Sequence, residues 1–214
     1  MDLLRIVACG VIGYGIGSIS SGYIVGRMYR NVDLRTVGSG STGATNTFRT
    51  LGLGAALLVA ILDILKGAGA VWIASAIVTG SSDEQTVATA VAAVAAVAGH
   101  CWPAFLEGRG GRGVATGFGA LLFIATPAWL GAVVAFMLAL AFTRMVSVSS
   151  LASIAGALLG YIVFVLAGYL SFHWAVLGFI LIAGAIVTIR HRANIARIVR
   201  GNEPRLGQRR SPST

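Results

Sequence analysis

The chain has 214 residues, 57% of them hydrophobic and only 11% charged, with a formal net charge of +9 and a mean hydropathy of +0.86. These figures exclude an ordinary soluble domain, because apolar runs long enough to cross a hydrocarbon core of about 30 Å recur along the length. They also exclude reading the positive charge as a nucleic-acid footprint. The predicted class is an all-α, polytopic integral membrane bundle of about seven helices, a single domain over residues 1–203 with a basic, disordered tail over 204–214.

A first span is predicted over about Leu4–Val25. Ile6-Val7-Ala8-Cys9 faintly resembles a lipoprotein cleavage site. Too few residues precede it for a charged start plus an apolar run of about 7–15 residues, so a retained helix is expected. Further spans follow at Gly54–Val78, Thr86–Phe105, Val114–Ala125 (ending at Pro127), Trp129–Phe142, Leu151–Tyr169 and Trp174–Ile189. The fourth and fifth are short and can equally form one broken span. Cys9 and Cys101 read as small apolar-helix residues, with no disulfide framework or metal-ligand spacing visible.

Arginine predicts the orientation. Arg27, Arg30, Arg35 and Arg49 fall in the first loop, Arg109 and Arg112 in the third and Arg144 in the fifth, and seven more lie between Arg190 and Arg210. The second loop, SSDEQ, carries only acids. Seven spans place every basic segment on the cytoplasmic side, with the N-terminus outside and the C-terminus cytoplasmic. The remaining effect of the charge is attraction to anionic membrane lipid.

Orientation needs arginines in loops but no glycine pattern around them. Gly38-Ser39-Gly40-Ser41-Thr42-Gly43 spells G-x-G-x-x-G, and Gly108-Arg109-Gly110-Gly111-Arg112-Gly113 spells it again. As a dinucleotide fingerprint the first fails on context, because the residues after it run into a membrane helix that contains Asp63, the acid at the fingerprint's distance. The competing readings are plain tight turns and anion-binding nests, in which glycines expose successive N–H groups. Around the first loop, Asn46 adds a hydrogen-bonding side chain and Arg49 a fixed positive fork. The second loop leads into a helix N-terminus, a ready phosphate seat. A third segment, HRANIARIVRG at His191–Gly201, reads as a basic interfacial helix or as part of the same site. Three oxyanion-suited segments on one face point to a site that gathers phosphate groups.

Asp63 and Lys66 stand at i, i+3 inside the second span and can pair. They are functional candidates by depth and structural ones if they only neutralise each other. His100, at the basic end of the third span, is placed to brace the second loop or to touch substrate.

GSGSTGATNTFRTLG, DILKG, GHCWPAFLEGRGGRGVAT, TRMVSVSS and HRANIARIVRGNE, in this order, resemble the acyl-phosphate-dependent bacterial glycerol-3-phosphate acyltransferases over about Gly38–Glu203. The resemblance implies an enzyme of the bacterial cytoplasmic (inner) membrane with its active site facing the cytoplasm. It implies transfer of a fatty acyl group from acyl phosphate to the sn-1 hydroxyl of glycerol 3-phosphate, giving lysophosphatidic acid and inorganic phosphate. Two departures stand out: the family usually has Asn at Ser41, and Lys at Arg109 and Arg112. Arginine keeps the charge and adds bidentate geometry.

On this resemblance Ser39 and Arg49 belong to the first catalytic motif. Arg109, Gly110, Gly111, Arg112 and Gly113 form the glycerol-3-phosphate seat, and Gly40, Ser41, Gly43 and Asn46 bind phosphate. His191 is the candidate base or orienter, and Asn194 positions a phosphate or carbonyl oxygen; a substrate phosphate oxygen is the alternative proton acceptor. Ser149 and Ser150 begin the sixth span and either donate into the site or cap the helix. Glu203 ties down the tail through an arginine. No metal site, cofactor or obligate protein partner is implied. A transporter of phosphorylated metabolites is the reading from another class.

Overall fold

The structure, a computed structural model, describes residues 3–207, so Arg209, Arg210 and the tail from 208 onward lie outside the described residues. Ten α-helices run in the order α1 Leu3–Ser18, α2 Ser21–Arg30, α3 Ala44–Leu51, α4 Leu53–Ile77, α5 Ser82–Cys101, α6 Val114–Ile124, α7 Thr126–Thr143, α8 Val146–Leu166, α9 Trp174–Arg190 and α10 Arg192–Val199, with a short 3-10 turn at Ala104–Leu106. Among the described residues there is no strand. The chain is an all-helical integral membrane bundle, as its composition predicts.

Five segments have the length and hydropathy of a span: α1 with α2 (Leu3–Arg30), α4, α5 running to Leu106, α7 and α8. A sixth candidate is α9, which bends by 63° into the basic α10 at its end. The expected fourth span is the 11-residue α6, which at 1.5 Å per residue covers about 16 Å, short of the hydrocarbon core. Pro127 begins α7 rather than merely ending the helix before it, because the first turn of a helix tolerates the missing N–H.

Small residues set the packing. In α5 the side chains of Ala88, Ala92, Ala93, Ala96 and Val97 are fully buried. A Cβ on Gly13 or Gly17 of α1 would collide with the Ala92 or Ala96 carbonyl, so these two helices cross with their backbones touching. The α7–α8 hairpin repeats the device at Gly131, Gly156 and Gly160. Lipid offers no hydrophobic drive between helices, so close backbone approach supplies the association instead. The large apolar side chains point the other way: Leu57, Ile61 and Leu65 of α4 are exposed, as a lipid-facing surface requires.

Two features differ from the sequence expectation. The first span breaks at Ile19–Ser20, where Lys66 Nζ donates to Ile19 O at 2.9 Å and Ser21 Oγ donates to Asp63 Oδ1 at 2.9 Å. The intramembrane ion pair, 2.8 Å between Lys66 Nζ and Asp63 Oδ1, thus supports a helix break. The first basic loop also carries a helix of its own, α3, lying against α4.

Candidate active site

The three motif segments meet at one end of the bundle around a cavity of about 380 Å³. Ser41, Gly43, Asn46, Arg112, Gly113 and His191 line its polar side, with Asp63, His100 and Ser150 deeper in the bundle. Val133, Phe136 and Met137 of α7 close it with apolar surface. One wall is therefore cationic and amide-rich and the other oily.

The first loop turns through Gly38 and Gly40 at φ 62° and 69°, values that favour glycine. Asn46 organises it from beneath. Its Nδ2 donates to Leu34 O, Val37 O and Ser41 O, the last at 2.9 Å, and its Oδ1 accepts from Ser39 N at 2.9 Å. Asn46 thus holds the loop's shape rather than offering its amide to an incoming anion. Ser41 lines the cavity and accepts from Gly43 N at 3.3 Å. Ser39 and Arg49 are exposed and are not part of the lining, although Arg49 lies close enough to act on the Arg112 charge.

The second loop is held on both sides. Gly111 N donates to His100 O at 3.0 Å, and a Cβ on Gly111 would run into the His100 ring. From α9, Arg190 donates to the Gly110 and Gly111 carbonyls. Gly110 and Gly111 are consequently buried supports of the loop. Arg112 follows them into the cavity wall, and Gly113 caps the start of α6 at φ 86°. Arg109 turns outward, 3.9 Å from Glu107 with both side chains exposed. His100 braces the loop and also sits 3.5 Å from Asp63.

The third segment follows the bend after α9. His191 is almost fully buried, and its Nδ1 lies 2.8 Å from Val187 O. A carbonyl can only accept, so Nδ1 carries the proton and Nε2 is left with the lone pair. Burial first, then the Arg112 and Arg190 charges, push His191 down to about 4 against the effect of its Val187 hydrogen bond. The imidazole is neutral at physiological pH. Asn194 Nδ2 donates to Glu203 Oε1 at 2.6 Å. Glu203 also accepts from Ser147 Oγ and Arg197 Nε, each at 2.7 Å. Burial opposes its charge, but these three hydrogen bonds hold the carboxyl below its usual range.

Ser149 and Ser150 donate to Met145 O and Val146 O, each one turn back. Because α8 starts at Val146, they occupy its opening turn rather than precede it, and Ser150 alone of the two reaches the cavity lining. Their hydroxyl protons are committed to carbonyls, which leaves oxygen lone pairs for the site.

Arg112 shows the balance of charge most clearly. Burial lowers it to about 10, and Arg197, Arg49 and Arg190 push the same way while Glu203 opposes them. It stays protonated near neutral pH in a surplus of positive charge. A cavity of this kind stabilises anions. Among the described residues no group of three or more His, Cys, Asp or Glu side chains is placed to hold a metal ion.

Sequence reasoning missed three contributors. Arg190 reads only as topological charge, Arg197 only as an unassigned member of the third segment, and Ser147 is passed over beside Ser149 and Ser150. Ser147 and Arg197 lie within motif segments, so their place was visible although their partner was not.

Fold and site together define a multi-helix membrane protein with a cation-rimmed, half-apolar cavity at one end. The family model for glycerol-3-phosphate acyltransferase matches residues 7–201. A glycerol-3-phosphate acyltransferase of Synechococcus elongatus is 46% identical over 212 residues, covering 98% of each chain. One from Synechococcus sp. strain JA-3-3Ab is 45% identical, covering 92% of this chain and 91% of that one. A crystal structure of PlsY, an integral membrane glycerol 3-phosphate acyltransferase, in its glycerol 3-phosphate form superposes with a TM-score of 0.81 at 33% identity, covering 94% of this chain and 96% of that one. Its lysophosphatidic acid form gives 0.79 at 32%. The chain belongs to the glycerol-3-phosphate acyltransferase family.

Proposed function

We propose that the chain transfers a fatty acyl group from acyl phosphate to the sn-1 hydroxyl of glycerol 3-phosphate, releasing lysophosphatidic acid and inorganic phosphate as the first acylation of phospholipid synthesis. The observation that carries this reading is the cavity itself, with the Arg112 guanidinium on one wall, further arginines close behind it, and apolar α7 side chains on the other. It suits a donor with a phosphate head and a fatty tail, together with a small phosphorylated acceptor.

Acyl phosphate is already activated, because phosphate leaves readily, so direct transfer needs no covalent enzyme intermediate. The sn-1 oxygen attacks the acyl carbonyl, His191 Nε2 takes its proton, and the carbon–oxygen bond to phosphate breaks. At about 4 the free imidazole is a weak base. The arrival of two phosphate groups offsets the arginine field and raises it toward the range a base needs. Arg112 and the second loop seat glycerol 3-phosphate, while Ser41, Arg49 and the first loop face the donor's phosphate. Asn194, held by Glu203, orients the site beside His191. The active-site end is cytoplasmic in a bacterial inner membrane and the N-terminus lies outside, as the arginine distribution favours. Membrane lipid is the surrounding partner.

The test supplies purified protein with labelled glycerol 3-phosphate and, in parallel, palmitoyl phosphate, palmitoyl-CoA or palmitoyl-acyl carrier protein. The acyl position of the product is then read by NMR. Product from acyl phosphate alone, acylated at sn-1, supports the reading. Equal use of a thioester, or acylation at sn-2, overturns it.

A further inference from the structure

Arg190 closes α9 immediately before His191, yet it is absent from the cavity lining. Its side chain reaches across the fold to a loop about eighty residues earlier in the chain: Nε donates to Gly111 O at 3.1 Å and a terminal nitrogen donates to Gly110 O at 3.2 Å. The guanidinium lies 5.7 Å from the centre of the Trp102 ring, within reach of a cation–π attraction. In a trans peptide the C=O and N–H point in opposite directions. Two carbonyls drawn toward Arg190 therefore turn the amides of Gly111 and Arg112 away from it. The Gly111 amide is taken by His100 O at 3.0 Å, which leaves the Arg112 amide at the approach to the α6 N-terminus.

We infer that Arg190 is a positioning residue for glycerol 3-phosphate: it fixes which way the second glycine loop presents its amides and ties that loop to the segment carrying His191. This rests on the reading of that loop as the glycerol-3-phosphate seat. Lysine cannot substitute, because one ammonium on a flexible stem does not bridge two carbonyls in a fixed fork.

The experiment compares Arg190→Lys and Arg190→Gln with wild type in detergent. It reads steady-state kinetics for both substrates, Tm, and calorimetric binding of glycerol 3-phosphate without donor. Losing two charge-assisted hydrogen bonds raises KM and Kd for glycerol 3-phosphate by about ten- to a hundredfold, while in Arg190→Lys, which keeps the positive charge beside His191, kcat and the KM for acyl phosphate move less than about threefold. Trp102→Leu removes only the ring contact and gives a smaller rise in the same constants. Unchanged glycerol 3-phosphate affinity in a folded Arg190→Lys protein overturns the inference while leaving the seat intact. A parallel fall of kcat, both affinities and Tm also overturns it, by showing a merely structural role. Wild-type protein that fails to bind glycerol 3-phosphate overturns both the inference and the reading beneath it.

Discussion

Replacing His191 with Gln keeps a polar side chain at the bend but removes the lone pair assigned to proton transfer. The expected loss in kcat is about 10²–10⁴-fold, with Tm near wild type; wild-type turnover in that variant removes His191 from the chemistry. The same side chain predicts a pH effect on stability. An unfolded histidine titrates at its ordinary 6.5 and the folded one at about 4, so between these values the unfolded chain binds the extra proton. Stability contributed by neutral His191 is complete above 6.5 and is lost as pH falls toward 4. Thermal unfolding should show a steeper decline in wild type than in His191→Gln; equal profiles would contradict it. Gly111→Ala places a methyl group against the His100 ring, and a raised KM for glycerol 3-phosphate is expected. The glycine loops, His191 and Glu203 were legible because they occur in compact, ordered motifs. Arg190 was not, since nothing local distinguishes an arginine that orients a membrane helix from one that bonds carbonyls about 80 residues, roughly 270 Å of extended chain, away.

At the scale of elements, hydropathy located the long helices and missed their interruptions. The break between α1 and α2 depends on Asp63 and Lys66 capturing groups at Ile19 and Ser21, a tertiary event that no window of sequence reports. The polar α3 has no apolar run to announce it, and its amphipathic face is defined by α4, against which it lies. Asn46 illustrates the same limit. A polar residue in a phosphate-suited motif reads as a ligand, whereas its amide is spent on the backbone of its own loop. The α7–α8 hairpin carries the apolar cavity wall and is held together by Gly131, Gly156 and Gly160. Gly156→Val forces these backbones apart, at a cost of about 1–3 kcal/mol from overpacking. A lower Tm with a shifted preference for acyl-chain length is expected, and an unaffected Tm would show that the hairpin does not depend on this approach.

At the scale of the whole molecule, the basic motif segments and the site share one end, while Asp83 and Glu84 begin α5 at the other, with Arg5 near Glu84. The predicted topology can be read by labelling. With Cys9 and Cys101 buried, Arg109→Cys should react with an impermeant maleimide in inverted vesicles and not in intact cells, and Ser82→Cys should do the reverse. The opposite pattern would overturn the orientation.

The most direct measurement is rapid-mixing phosphate release from palmitoyl phosphate, with and without glycerol 3-phosphate. Direct transfer within one cavity predicts release only when both substrates are present, one phosphate for each lysophosphatidic acid formed. A burst of phosphate matching the enzyme concentration in the absence of glycerol 3-phosphate would reveal a covalent acyl-enzyme and contradict the account.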